Sequence, residues 1–555
     1  MNTLVLALAV LLALAAQEQP PTFRATTRLV ELTVTALDKK GQAVTDLRAE
    51  DFTIQDNGKA RPVTFFKYDG ESSTEPAILP LPPGVVSNRA DLSPGPPRNV
   101  TALVLDELNT PPLQNMRVRA TATRYLKALA PRTRLAIFYL GTKVRILHDF
   151  TDDAESLRAR IEKAVLAMPL QNETDFNRSV VEAEQFVNMF KGDPVMEQMA
   201  EEMMRTQLEH DMNANAASRR ARLETTLASM ESLGQHLAGI PGRKNVVWIS
   251  GGISMLTVTG AMGIGPRGSI ESFEDKVKRT AQRLAQQGIV LYIVDAKGLD
   301  SVTMTTADSA IPMPVRGRGR FEPQQDAETI SSDGQPAMEL LSSTTGGRYL
   351  RNTNDLMDGF KKAASDLEGS YTLGFYVSEH PDNKWHTLKA SVARSGVNLR
   401  HRKGYLAEAD AANSALWTNE KAMAVIANPI GSSAVQLTAG FGPAAEGEPG
   451  TFLVNLRIET GSLQFRTTGD VRAADLEILF AERTPNGAAR LKTVTTSVRI
   501  GAQNWDTAQA EGLRYTHQWK PAPGALSLRV VVHDMITNRY GTLDIPLART
   551  AQSRH

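Results

Sequence analysis

Asn99-Val-Thr-Ala-Leu-Val-Leu-Asp-Glu-Leu-Asn-Thr110 decides the fold of this chain. Val100, Ala102, Leu103, Val104 and Leu105 form an apolar, β-prone run that ends on Asp106. Asn109 and Thr110 add oxygen-bearing side chains before Pro111-Pro112 and a helical pattern. A continuous apolar strand marks a sheet covered on both faces. A carboxylate at its carboxyl end, just ahead of a helix, stands where open α/β sheets place ligand and ion sites.

Working outward, strand and helix patterns alternate. The spacing predicts a helix through Ala122, Tyr125, Leu126 and Leu129, a strand over 135–140 with a hairpin mate over 144–147, and a helix through Leu157, Ile161, Ala164, Val165 and Met168. A strand over 246–249, a helix on Phe273, Val277, Thr280, Ala281 and Leu284, and a strand over 289–294 follow. A short strand at 348–350 and a helix through Leu356, Phe360, Ala363, Ala364 and Leu367 close the series. Such alternation implies an α/β domain over 99–369, with a mainly parallel sheet and helices on both faces. Residues 178–240 read as a helical insertion with apolar stripes, among them Met196, Met199, Ala200 and Met203. Those methionines suit either an adaptable partner surface or packing on a neighbouring helix. Residues 300–336, rich in Pro, Gly, Ser and Asp, read as a long loop.

The flanks are β. Residues 24–67 alternate apolar and polar, with Asn57-Gly58 as a hairpin signal, and 370–406 carry further strands. Neither flank has enough strands for a core of its own, so the two are expected to form one small β domain into which the α/β domain is inserted. Residues 68–98 hold seven prolines and read as a linker. Residues 415–550 show short alternating strands with regular turns, the pattern of a β-sandwich.

At 555 residues the chain is long enough for several cores, and its net charge of +1 gives no reason to propose a nucleic-acid partner. The basic segment Val315-Arg-Gly-Arg-Gly-Arg320 reads as a solvated loop. Zero cysteines exclude disulfides, thiolate zinc sites and a cysteine nucleophile. Residues 4–16 are a run of 13 apolar residues, too short to span a bilayer, and Ala13-Leu14-Ala15 fits a small-x-small cleavage site. Although no Lys or Arg precedes the run, 1–16 read as an export signal, placing the mature protein in the periplasm, the cell envelope or outside the cell. No comparable second run occurs, so no membrane span is expected in the mature chain.

The motifs resemble a known family. Segment 99–110, the loop around Thr174, Val246-Val-Trp-Ile-Ser-Gly-Gly252, Gly288-Ile-Val-Leu-Tyr-Ile-Val-Asp295, Thr345-Gly-Gly-Arg-Tyr349 and Ser370-Tyr-Thr-Leu-Gly-Phe-Tyr376 succeed one another as in von Willebrand factor A domains. More closely, the chain resembles the exported VWFA-related family of Acidobacteria type. Val44-Thr-Asp-Leu-Arg-Ala-Glu-Asp-Phe-Thr-Ile-Gln-Asp-Asn-Gly58 is similar to that family's N-terminal signature, and Trp385-His-Thr-Leu-Lys-Ala390 through Arg402-Lys-Gly-Tyr405 to its close. The resemblance spans about 24–406 and leaves the C-terminal β domain outside it.

That resemblance implies a Rossmann-like fold and a metal-ion-dependent adhesion site. Such a site has a D-x-S-x-S loop, a Thr from a second loop and an Asp from a third, holding Mg²⁺ with one position left for a partner's carboxylate. Carried over, Asp106 and Thr110 match the first loop, with Leu108 at its middle hydroxyl position. Thr174, in Asn172-Glu-Thr-Asp175, matches the second, while Gly251 stands where the third-loop Asp belongs. The site is degenerate. The expected ligands are Asp106, Thr110 and Thr174, with Asn109 and Asp175 as further candidates, holding Mg²⁺ or Mn²⁺ weakly. The alternative is that Asp106 and Thr174 only hydrogen-bond the loops together. Glu107, Asn109, Ser250 and Gly251 would line the ligand-binding loops.

Catalytic signals are poor. Gly263-Ile-Gly-Pro-Arg-Gly268 matches G-x-G-x-x-G in form, but lies well beyond its strand and contains a proline. No H-E-x-x-H, G-x-S-x-G, S-x-x-K or Walker sequence occurs. The expectation is a non-enzymatic module for protein–protein interaction or adhesion, with an unidentified protein partner engaged through an acidic side chain. The alternative is a structural or assembly protein of the envelope with an inert ion site. A hydrolase whose triad is scattered in sequence is a remote third reading.

Overall fold

The structure, a computed structural model, describes residues 28–68, 81–89, 92, 100–110, 112–127, 134–151, 153–163, 182–183, 185–240, 242–253, 256–259, 269–296, 312–314, 321–323, 334–351, 362, 366, 369–377, 382, 384–407, 417–442, 450–485 and 487–547. The expected export signal, Thr174, Asp175 and the 263–268 glycine motif lie outside the described residues.

The fold is mixed α/β with several sheets. The six strands of its central sheet are β1 (Val100–Asp106), β2 (Leu135–Leu140), β3 (Val144–Thr151), β4 (Lys244–Ser250), β5 (Ile289–Asp295) and β6 (Arg348–Leu350), in the spatial order β6-β5-β4-β1-β2-β3. Neighbours run parallel except for β2 and β3, which are antiparallel. Every residue of β1, β2, β4 and β5 is buried, because helices cover both faces.

Alternate residues serve opposite layers. Leu103 and Leu105 of β1 pack with Val118, Ala122 and Tyr125 of α1 (Pro112–Lys127) and with Leu157 and Ile161 of α2 (Ala154–Lys163). Ala102 and Val104 face the other layer, with Trp248 of β4. There they meet α3 (Pro194–Leu237), α4 (Glu274–Gln286) and α5 (Gly334–Thr345) through Leu223, Leu227, Val277, Ala281 and Leu341. The 44-residue α3 carries both the stripe Met196, Met199, Ala200 and Met203 and the core residues Leu223 and Leu227 on one continuous helix. Pro194 opens it and the Asp193 side chain caps it, accepting from the backbone N–H groups of Val195 and Met196. Neither proline nor glycine interrupts it before Gly234.

The two flanks share their sheets. Strand Arg28–Leu37 lies between Ser370–Val377 and Asn398–His401, with Phe65–Tyr68 at the far edge of the same sheet. A second sheet orders Gly404–Leu406, Trp385–Val392, Phe52–Asp56 and Lys59–Arg61. Asn57 and Gly58 both take positive φ, 48° and 81°, in the two-residue turn between the last two strands of that sheet. Leu32, Val34, Phe52, Ile54, Tyr371 and Phe375 fill the core between the sheets.

This unit is joined to the α/β domain by a buried guanidinium. Arg243, just ahead of β4, donates to Thr35 Oγ1 at 2.6 Å, Tyr292 Oη at 2.7 Å and Asn245 Oδ1 at 2.9 Å. Tyr292 in turn donates to Asp366 Oδ2 at 2.5 Å.

Residues 417–547 hold two more sheets around one core containing Leu437, Val454, Leu456, Phe480, Trp519 and Val530. Here the linker expectation needs correction. Val85–Ser87, inside the supposed 68–98 linker, is an edge strand paired antiparallel with Leu437–Gly442. The Asn88 side chain fixes it, donating to the Ser432 and Val435 carbonyls and accepting from the Leu437 N–H. Two adjacent valines suffice for an edge strand, and prolines on either side do not prevent it, since only its inner edge needs N–H donors.

Candidate functional site

The strand order reverses between β1 and β4, so the loops beyond their carboxyl ends flank one crevice. The register sets Val104 beside Trp248 and Leu105 beside Ile249, which brings Asp106 level with Ser250.

Asp106 is buried, and its carboxylate collects donors from three directions. Oδ1 accepts from the Asn109 backbone N–H at 3.0 Å and from Asn109 Nδ2 at 3.2 Å. Oδ2 accepts from Asn109 Nδ2 at 2.9 Å, Trp248 Nε1 at 3.1 Å and Ser250 Oγ at 2.6 Å. Burial pushes the carboxyl above its ordinary range, while Ser250, Asn109 and Trp248 pull the other way by stabilising the anion.

The surrounding groups extend this network. Ser250 Oγ also accepts from the Gly252 N–H at 3.1 Å, and Thr110 Oγ1 accepts from the Gly251 N–H at 3.0 Å. Asn109 Nδ2 reaches Thr226 Oγ1 of α3 at 2.8 Å, tying the β1 loop to the insertion helix. Gly252, at φ 100°, packs against Gly334 at the start of α5, and a Cβ built on Gly334 would stand 3.3 Å from the Gly252 Cα. Glycine at both positions lets the loop and helix backbones touch.

Asp106, Asn109, Thr110, Ser250 and Gly251 therefore come together. Glu107 does not join them, because strand alternation turns it toward Arg119 of α1 and Arg145 of β3. It is 4% exposed, and its Oε1 has no partner among the described residues. Desolvation raises its carboxyl to about 7, with the Arg119 and Arg145 guanidiniums opposing. Sequence reasoning missed Trp248, which it took only as part of a strand motif, and Thr226, which it did not single out. The β1–β4 register brings Trp248 to Asp106, and the course of α3 brings Thr226 to Asn109.

The described residues do not fit a divalent cation. A Mg²⁺ or Mn²⁺ ion needs free carboxylate lone pairs, yet both Asp106 oxygens are engaged by donors, and an indole N–H cannot turn into a ligand. Thr110 Oγ1 accepts one hydrogen bond from the glycine loop, and Ser250 Oγ accepts another while donating its own proton to Asp106. Among the described residues no three His, Cys, Asp or Glu side chains converge. The carboxylate is a strut between loops.

One serine–histidine contact occurs elsewhere, Ser156 Oγ with His148 Nε2 at 2.7 Å, but His148 Nδ1 meets the Asp149 backbone carbonyl rather than a carboxylate. That lacks the orienting acid of a hydrolytic triad.

No protein-family model matches the sequence, and no curated protein matches it. Among solved structures the chain is coarsely similar to an aerotolerance-related membrane protein from Bacteroides fragilis, at 10% identity over 48% of this chain and 97% of that one, with a TM-score of 0.22. It is similar to the PilB minor pilin from Streptococcus sanguinis at 10% identity over 50% and 62%, with a TM-score of 0.24. It is also similar to the von Willebrand factor type A from Catenulispora acidiphila at 8% identity over 86% and 76%, with a TM-score of 0.17.

Proposed function

We propose that this chain is an exported, von Willebrand factor A-like binding module that engages a protein through the loops beyond the carboxyl ends of β1 and β4. One observation carries the reading: the strand order reverses between these two strands, which is where open α/β sheets take their ligands. Leu108, Asn109 and Gly252 are the part-exposed residues of those loops. Asp106 holds them in one arrangement from beneath, so binding proceeds without a bridging ion and without catalysis. In this reading a partner's side chain contacts the loops directly and is not held through an ion.

A photo-crosslinking residue placed at Asn109 in the native host tests this. A specific crosslinked protein, captured equally with and without EDTA, supports the reading. Loss of capture in EDTA would restore the ion-dependent mode, and no crosslink at all would remove the loops from the interface. The second reading, an envelope assembly protein that docks through α3, draws support from the exposure of Met196, Met199 and Met203. It predicts crosslinks from position 199 and none from 109. Export itself is tested by N-terminal sequencing of the protein from its host, where an intact Met1 would exclude cleavage of 1–16.

A further inference from the structure

The first turns of α3 present a stripe that neither the core nor the β1–β4 crevice uses. Met196, Met199 and Met203 stand at positions i, i+3 and i+7 of the helix, within about 60° of one another around its axis. They are 41%, 63% and 60% exposed. The buried face of the same turns carries Ala200 and Leu208 instead. Further along the helix methionine reverts to its usual place, with Met230 in the core. Six of the chain's 18 methionines fall between 189 and 212.

Three thioethers at this spacing can converge. Residues three and four apart have Cβ atoms about 5–6 Å from each other on one helix face, and the methionine side chain has three rotatable bonds with which to close the gap. Met199 lies between the other two, so sulfur atoms from the turn before and the turn after can both reach its own. Thioethers are soft donors, which select Cu(I) over Mg²⁺, Ca²⁺ or Zn²⁺. With no cysteine in the chain, methionine is its only soft ligand.

The charges nearby favour a cation. Between 194 and 211 the sequence holds five acidic residues and one basic residue, Arg205, which pairs with Glu202. Arg205 projects from the opposite side of the helix, about 180° from Met196. His210 is exposed on the methionine side, two turns beyond Met203. No Lys or Arg falls on the stripe itself.

We infer that Met196, Met199 and Met203 form a surface site for a soft monovalent cation, Cu(I) or its analogue Ag(I). The site lies on α3, away from the Asp106 crevice, and does not depend on the function proposed for that crevice.

The test uses the full chain. Cu(I) is supplied anaerobically as its bicinchoninate complex, and Ag(I) is titrated into protein labelled with ¹³C-methyl methionine. One equivalent of Cu(I) should pass to the protein, and the methyl resonances of Met196, Met199 and Met203 should shift with Ag(I). The triple variant Met196→Leu, Met199→Leu, Met203→Leu keeps apolar volume and helix propensity, and should lose the uptake. Met116→Leu alters a methionine that is 65% exposed on α1, and should keep it. Equal uptake by the triple variant, or no uptake by the unaltered chain, overturns the site. Equal uptake of Zn²⁺ overturns its soft character. The methyl shifts of the unaltered protein decide the matter even if the triple variant fails to fold: shifts confined to those three residues support the site, and shifts elsewhere contradict it. A stripe that serves only to dock a protein would leave both metal readouts blank.

Discussion

Trp248 Nε1 donates to Asp106 Oδ2 at 3.1 Å, so the largest fully buried side chain among the described residues spends its single polar hydrogen on the carboxylate that ends the neighbouring strand. An apolar core residue and a site residue are thus one structural unit. Hydrogen bonds to a buried charge contribute about 1.5–3 kcal/mol each. Trp248→Phe should therefore lower the unfolding free energy by about 2–4 kcal/mol, the lost bond plus a small cavity, as read from the urea midpoint. Asp106→Ala made in that background should cost less than in the unaltered chain. Additive costs would show that the indole bond contributes nothing.

Glu107 should impose a pH dependence on stability. Its folded pKa, about 7, lies above its ordinary value of 4.5, so the folded state binds more protons across that interval. Stability from this group is fully present below pH 4.5 and is lost as pH rises to about 7. Glu107→Gln should be close to neutral at pH 4.5 and stabilising at pH 8, on the order of 2 kcal/mol. Thermal unfolding of both proteins at the two pH values checks this, and parallel curves would refute it.

Arg243→Met should destabilise the chain by about 3–5 kcal/mol, because the buried Thr35 and Tyr292 hydroxyls and the Asn245 carbonyl lose a shared charged donor. The effect should reach both neighbouring units. Amide exchange should quicken in strand Arg28–Leu37 as well as in β5, and a response confined to the α/β domain would contradict the link.

Asn88→Ala should cost about 2–3 kcal/mol, since three hydrogen bonds to 432–437 disappear while their backbone partners stay at least partly buried. Amide exchange at Val85–Ser87 should rise sharply while Phe452–Ile458 stays protected. Unchanged exchange at 85–87 would mean that the strand holds without its asparagine.

The α/β layer was the legible part of the sequence. Val100 to Asp106 announces a twice-covered strand through its unbroken apolar run, and Val277, Ala281 and Leu284 announce a helix through their spacing. Both signals are local and periodic, so they survive without tertiary context. Segment 85–87 was not legible, because two valines among prolines carry no period, and their partner strand lies some 350 residues away. At the site, Asp106 and Thr110 stood out by residue type, but their roles did not. Whether a carboxylate takes a cation or a set of N–H and O–H donors depends on the neighbouring strand and on α3, which residue type does not encode. Glu107 was read as a loop residue, whereas alternation carries it to the other side of the sheet. The resemblance singled out Asp106 without its partners: Trp248 and Ser250 donate to its Oδ2, and neither contact is written in the motif.

The pairing of strand Arg28–Leu37 with Ser370–Val377, from Arg28 opposite Val377 to Thr35 opposite Ser370, sets a schedule for the growing polypeptide. Synthesis delivers the first strand long before its mate, and the whole α/β domain is made in the interval. Leu32 and Val34 must therefore wait, uncovered, through most of translation. A chain that stalls before residue 370 leaves that apolar ribbon without its mate, which is the kind of surface that chaperones and proteases seize. The inserted architecture thus marks every unfinished molecule as unfinished.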